Sequence, residues 1–586
     1  VFVRVEAPQD IGSPQSLALR VRPADGSAPI PKSVDRAVSL PTSFTITADN
    51  RTGSYLIELD ALGAGGGAAT LLGQGEAAVN LFANKRVDVT LRVSPANSVL
   101  SSTTDRDQVQ SRDSSARQVA ADGNGKLIAV WEGDGCAPNQ PCAVFLRALD
   151  SDGKHRDGGA PLRLDNASSP AVASNSNGAT VVVWRATGAD VIQAQRVDPN
   201  GALAGGIVAV SDTGRGAIQP DVGVLADGGF VVAWSQNGAS GRDIAYRFFS
   251  PDAAPLGAVG IANSSPGGPT RRDPSVAVAT PVGAPLSVLI AWTELGGSVD
   301  PATRGDIRAR RFNAQGSPID ASGNPAPTTS DLQLAQPELL TRAARTADTA
   351  ALPDGSFVVT WEDILPAGGL DSEGSAVVMR RLSPNGTALG EEVIVNATTP
   401  RDQRAPAAAT SLDGKYLYIA WTDCSALVAG ASSGTGCDVR GRAYPLLARN
   451  NGLLVGLPAG LDELVNTTRD GDQTQPSIAA AGRGGMLVAF NDASGAGQPA
   501  GVDVRVRPIY PTVERAVGLV GSTCSVDAPN CADGLRCLPL SDGVSRCTRS
   551  CTFSGPLPRC PDGPGCEMNG ATTGMTAACI AIASPG

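Results

Sequence analysis

ADGGFVVAW occupies residues 226–234, and close relatives of it recur along the chain. ADGNGKLIAVW ends at Trp131, NSNGATVVVW at Trp184, TPVGAPLSVLIAW at Trp292, LPDGSFVVTW at Trp361, SLDGKYLYIAW at Trp421 and GRGGMLVAF at Phe490. All six tryptophans close a copy. In each copy a Gly-containing turn precedes a short run of Val, Ile and Ala that ends on the aromatic, which reads as a hairpin leading into a buried strand.

Working outward from the third copy, PDVGVL (220–225), FVVAWSQ (230–236), DIAYRFFS (243–250) and LGAVGIANS (256–264) are four short strands separated by turns. DIRARRFNAQG (306–316) and AVVMRRLSPNG (376–386) repeat the third strand. A small sheet cannot bury both of its faces alone, so four-stranded units repeating with an aromatic at a fixed place predict propeller blades that stack on one another. The aromatics at 131, 184, 234, 292, 361, 421 and 490 predict seven blades over residues 97–515. Links between blades read VNATTPRDQRAP (395–406) and VNTTRDGDQTQP (465–476), and a matching VLSSTTDRDQ (99–108) precedes the first blade. The last blade stops after VDVRVRPIY (502–510), so residues 99–104 are expected to supply its fourth strand and close the ring. Closure removes free sheet edges.

Two further units flank the ring. Residues 1–95 alternate apolar and polar in SLALRVRPA (16–24), SFTITADN (43–50), SYLIELDAL (54–62) and RVDVTLRV (86–93), which suits a small β-sandwich, Ig-like or related. Residues 520–586 hold Cys524, Cys531, Cys537, Cys547, Cys551, Cys560, Cys566 and Cys579 among too few apolar residues for a core, and predict a disulfide-rich module. Cys136 and Cys142, and Cys424 and Cys437, stand alone in the loops after Trp131 and Trp421 and are expected to pair locally. The fold class is all-β throughout: glycine (69) and proline (43) make up nearly a fifth of the 586 residues. Disulfides persist outside the reducing cytosol. A net charge of −10 sets nucleic acid aside as a partner. No stretch is apolar for long enough to span a bilayer, and Val1 already begins a strand, so any targeting segment or lipid anchor is expected upstream of residue 1.

CSVDAPNCADGLRC (524–537), CTRSC (547–551) and CPDGPGC (560–566) resemble the modules that end many cell-surface proteins of myxobacteria and related Gram-negative bacteria. The repeat of an Asp-Gly turn, FVVAW and an RRF strand is similar to repeats of large bacterial surface and adhesin-like proteins. The resemblance implies an extracellular or outer-membrane location, and assigns no single activity.

Catalytic signatures are sparse. His155, in SDGKHRDGG, is the only histidine, which excludes a multi-histidine metal site and reads as a solvated turn residue. A propeller glycosidase needs paired carboxylates, but Asp227 lies seven residues before Trp234, a spacing unlike the Asp boxes of sialidases, and no isolated arginine cluster or tyrosine–glutamate pair can be singled out. One constellation recurs: acids follow the blade aromatic at Glu132, Asp134, Glu294, Glu362, Asp363, Asp423 and Asp492. They are candidate binding residues on the face that carries the long loops, with the alternative that third-strand arginines such as Arg147, Arg196, Arg247, Arg311 and Arg381 pair with them. No cofactor or metal is expected, calcium in RDGDQ (469–473) staying open. The expected function is therefore a non-catalytic secreted or outer-membrane surface protein, not an enzyme, that binds or adheres to a protein or glycan at the cell surface. The alternatives are a structural subunit of a larger surface assembly and a propeller carbohydrate-active enzyme.

Overall fold

The computed structural model describes residues 1–7, 11–23, 30–34, 38–47, 53–64, 70–81, 86–100, 109, 117–133, 142–156, 160–281, 285–295, 305–326, 330–335, 343–364, 374–397, 400–425, 436–449, 452–456, 458, 462–468, 470–495, 501–511, 536–539, 545–550, 566–568 and 577–579. These residues form an all-β protein with a short 3-10 turn at Gly482–Gly484. Seven antiparallel sheets, I to VII, follow one another, six of four strands and one, sheet VI, of five. Their first strands are Val119–Ala121, Ala167–Ser174, Ile218–Val224, Thr270–Ala279, Ala343–Ala351, Gln403–Thr410 and Gln473–Ala480. Each touches the next, and the last touches the first, so the inner strands close a ring.

The recurrent turn has a local cause. In the third copy Gly229 N donates to Asp227 Oδ1 (2.8 Å), Gly228 N to Leu225 O (3.0 Å) and Leu225 N to Gly229 O (2.8 Å). Gly228 takes φ +89°, a conformation costly for a residue with a Cβ. The aromatic at the end of the following strand packs against the preceding sheet. Trp184 shares a core with Val130 and Val144 of sheet I, Trp234 with Val183 of sheet II, Trp292 with Val231 of sheet III and Trp361 with Leu289 of sheet IV. Trp421 does so with Val358 of sheet V, Phe490 with Tyr418 of sheet VI and Trp131 with Leu487 of sheet VII. The tryptophans are thus mortar between sheets.

A second device was not read from sequence. Six inner strands carry a bulge at a left-handed residue: Ser169, Gln219, Asp273, Thr346, Ala405 and Gln475, with φ between 49° and 55°. In five of these strands proline follows. Beyond the bulge a side chain caps a neighbouring inner strand. Val276 N donates to Asp221 Oδ2 (2.7 Å), Thr349 N to Ser275 Oγ (3.1 Å), Ala408 N to Asp348 Oδ2 (2.8 Å) and Gln118 N to Ser477 Oγ (2.9 Å). Arg117 of sheet I reaches sheet V, donating to Thr349 O (2.9 Å) beside Asp348 (3.9 Å).

Several expectations need revising. Sheet VII takes its fourth strand from Ser98–Val99, which pairs with Val506 and Arg505, and Leu100 N donates to Val504 O. Closure therefore begins a residue earlier than expected; residues 101–104 lie outside the described ones. Leu332–Gln333 is the outer strand of sheet IV and Ala343–Ala351 opens sheet V. Cys424 and Cys437 form a disulfide. Cys142 is disulfide-bonded, while Cys136, Cys524, Cys531, Cys551 and Cys560 lie outside the described residues. Arg536–Pro539, Ser545–Ser550, Ala577–Cys579 and Cys566–Met568 form a small sheet, with Cys537 opposite Cys547 and Cys566 opposite Cys579.

The N-terminal unit comprises a three-stranded sheet around Phe2–Glu6 and a five-stranded sheet built on Ser16–Pro23, Gly53–Gly63 and Thr70–Leu81. Val3, Val5, Leu17, Leu19, Ile57, Leu59 and Leu91 fill a core shared by both sheets. Strand side chains alternate between faces, so Arg20, Glu58 and Glu76, which are opposite one another in register, leave the core together.

Candidate functional site

That polar row meets the ring. Glu463–Leu464, the short fifth strand of sheet VI, pairs with Arg440 and Gly441. It lies against Thr70–Leu81, where Leu464 N donates to Glu76 Oε1 (2.9 Å). A small polar cleft, partly open to solvent, results, lined by Arg20, Glu58, Asp60, Gln74 and Glu76 from the N-terminal unit and by Glu463, Leu464 and Arg507 from the ring. Arg20 holds Glu58 (3.1 Å) and Asp60 (2.8 Å), and Gln74 Nε2 donates to the other Asp60 oxygen (2.7 Å). Arg20 and Gln74 thus hold these two carboxylates.

Glu76 and Glu463 lie at the junction of the two units. Tyr418 Oη donates to Glu463 Oε2 (3.3 Å). Burial, reinforced by the negative charge of Glu76, pushes the Glu463 carboxyl up to about 7; Arg507 and the Tyr418 hydroxyl oppose the rise. Glu76 and Glu463 thus line the same cleft, Glu463 with its proton affinity raised and Glu76 accepting a backbone N–H. Pairs of acids whose environments separate their proton affinities can divide the roles of proton donor and ionised partner.

The acids singled out from sequence are elsewhere, and most serve the framework. Glu132 is buried and accepts Ser169 N (2.5 Å) across sheets I and II. Glu294 pairs with Arg271 (2.7 Å) and lies 3.8 Å from Arg308. Glu362 pairs with Arg345 (2.7 Å), and Asp363 is fully buried. Asp423 pairs with Arg440 (2.8 Å) and Asp492 with Arg505. Asp134 lies outside the described residues. Of the arginines expected as partners, Arg381 reaches a carboxylate, Asp354 (2.8 Å), whereas Arg196, Arg247 and Arg311 donate to backbone carbonyls. His155 is exposed, with Arg147 at 3.1 Å.

The links quoted above explain the pairing. Asn466 Oδ1 accepts Val439 N (2.6 Å) while its Nδ2 donates to Asp438 Oδ1 (2.7 Å) and Gln473 Oε1 (3.2 Å). Gln473 Nε2 then donates to Asp492 (3.0 Å). Asn396, Gln403 and Asp423 repeat the relay one sheet earlier. In RDGDQ, Asp472 Oδ1 accepts Cys437 N (2.8 Å). Among the described residues no three metal-ligating side chains converge, and no helix is long and apolar enough to cross a membrane.

No protein-family model matches the chain, and no curated protein does. Similar solved structures are β-propeller-type proteins. An α-L-arabinanase of Penicillium chrysogenum is 13% identical over 58% of this chain and 93% of its own, with a TM-score of 0.36. An α-L-arabinofuranosidase of Fusarium graminearum, of glycoside hydrolase family GH93, is 12% identical over 58% and 92%, at 0.36. The polysaccharide lyase Uly1 is 9% identical over 68% and 90%, at 0.41. Likeness of this extent concerns fold alone and assigns this chain no activity. The neighbours are nonetheless mainly glycoside hydrolases, which corrects the expectation of a non-catalytic binding or adhesive surface protein that is not an enzyme. Glu76 and Glu463 lie 387 positions apart in the sequence, so their proximity is not legible from spacing.

Proposed function

We propose that the chain is a carbohydrate-active enzyme that cleaves glycosidic bonds in the cleft between the N-terminal unit and the ring. The observation that carries the reading is that Glu463, its proton affinity raised toward neutral pH, and Glu76 line one small polar cleft. Glycoside cleavage needs a carboxylic acid to protonate the leaving oxygen and a second carboxylate to activate water or stabilise the sugar cation. In this reading Glu463 is the acid and Glu76 the ionised partner. Arg20, fixed by Glu58 and Asp60, forms the cleft wall.

The same proposal takes the ring as a seven-bladed propeller over residues 97–515, after a β-sandwich (1–95) and before a disulfide-rich module (520–586). It places the protein outside the cytosol, at the surface of a Gram-negative bacterium; the Cys424–Cys437 disulfide supports an oxidising compartment.

The test is release of reducing ends or unsaturated sugars from a panel of neutral, amino and acidic polysaccharides. Glu463→Gln and Glu76→Gln should each lose at least about a hundredfold of the rate, the usual share of a general acid or base. Wild-type rates in both variants, or no cleavage across the panel, would overturn the assignment.

A further inference from the structure

Arg507 stands on the third strand of sheet VII, Asp503–Ile509, and is 2% exposed. Its Nε donates to Pro95 O (2.8 Å) and its Nη2 to Gln74 O (3.1 Å), both in the segment preceding the ring. Its Nη1 donates to Leu464 O (3.1 Å) and Val465 O (2.7 Å), on the strand of Glu463 and the link after it. One planar guanidinium thus holds four carbonyls, two on each side of the junction. A lysine has the charge but not the fork. Other residues make one or two bonds across the junction: Arg92 to Pro511 O (3.2 Å), Tyr510 N to Ser94 Oγ (3.1 Å), Leu464 N to Glu76 Oε1 (2.9 Å), and Asn97 through its N to Thr467 Oγ1 and its Nδ2 to Thr468 Oγ1 (both 3.3 Å).

We propose that Arg507 is the positioning residue of the cleft: by clasping both sides of the junction it decides whether Glu76 and Glu463 face each other. The proposal rests on the reading of the cleft as the functional site. It makes that site conditional on docking, because neither unit holds both carboxylates.

Glu463 reports the docked state. It is faced by Glu76 from the N-terminal sheet, by Arg507 from sheet VII and by Tyr418 from sheet VI, with Tyr416 also within electrostatic reach; Arg440 acts on Glu76. Losing only the positive charge of Arg507 would raise the proton affinity of Glu463. Undocking would lower it, since burial and the charge of Glu76 are removed together. The direction of change separates a clasp from a charge.

The experiment uses the full chain as wild type, Arg507→Lys and, as control, Arg310→Lys, a buried arginine that donates to Ala262 O (3.0 Å) in sheet III. Hydrogen exchange is read at residues 70–81 and 462–468, and the Glu463 carboxyl is titrated by carbon NMR, assigned with Glu463→Gln. Arg507→Lys should speed exchange in both segments by about tenfold or more. It should also bring the Glu463 midpoint down from near 7 toward the ordinary glutamate range, while the control does neither. Unchanged exchange, or a Glu463 midpoint that stays or rises, overturns the clasp. Should Arg507→Lys not fold, the unmodified chain still answers: the two segments should open with one free energy, and separate openings overturn the proposal. Neither readout depends on turnover, so a sound clasp without glycan cleavage would count against the hydrolase reading alone.

Discussion

Tyr418 reaches Glu463 with its hydroxyl, 3.3 Å from Oε2, across the bare Cα of Gly441. Gly441 is the strand partner of Glu463, and a Cβ built on it would lie 2.2 Å from Tyr418 Oη. The glycine is a space requirement of the site. Gly441→Ala should displace the tyrosine and cost about 1–3 kcal/mol through overpacking, measured by urea unfolding. It should also sever the bond to Glu463, so the Tyr418 ring signals in NMR should move; a variant with wild-type stability and unmoved ring would contradict the contact.

Asn466 holds four side-chain and backbone partners while fully buried. Asn466→Ala strands Val439 N and loosens Gln473, so a loss of about 1–3 kcal/mol is expected. Asn385→Ala, in an exposed turn, should stay within about 0.5 kcal/mol. Equal effects at the two sites would mean that the relay contributes nothing to stability.

Asp221 gives a pH-dependent prediction. Burial raises its carboxyl to about 6, and its Oδ1 has no partner. The folded protein therefore holds this proton more tightly than the unfolded chain, and stability falls as pH rises from about 4 through about 6. Asp221→Asn can keep the bond from Val276 N without the charge. It should be more stable than wild type above pH 6, by up to about 3 kcal/mol, with the difference fading below about pH 4. Thermal unfolding across pH 4–8 checks this; a variant less stable than wild type at pH 7.5 would show the ionised carboxylate to be needed.

The ring was legible because its signal is local. Turn, strand and aromatic sit within nine residues of one another in ADGGFVVAW, and an aromatic large enough to fill the gap between sheets marks each repeat. The bulges carried a signal that went unread, the proline after Ser169, Gln219, Asp273, Ala405 and Gln475. Acids near each aromatic were visible, and the alternative that third-strand arginines pair with them holds for Asp423 with Arg440 and for Asp492 with Arg505. Their second anchor, Gln403 and Gln473 at the start of the inner strands, went unread. The cleft was illegible for a different reason: Glu76 looks like any outward residue of an alternating strand, and only docking brings it to Glu463.

The division of acid and base roles between Glu463 and Glu76 is decided by the pH dependence of glycan cleavage by wild type, Glu463→Gln and Glu76→Gln. The wild-type rate should fall as pH rises through about 7, where Glu463 loses its proton. Residual activity of Glu76→Gln should fall at lower pH, because the negative charge that lifts Glu463 is gone, and Glu463→Gln should lack the limb altogether. A limb unmoved by Glu76→Gln, or a Glu463→Gln enzyme with the wild-type rate and profile, would contradict the claim.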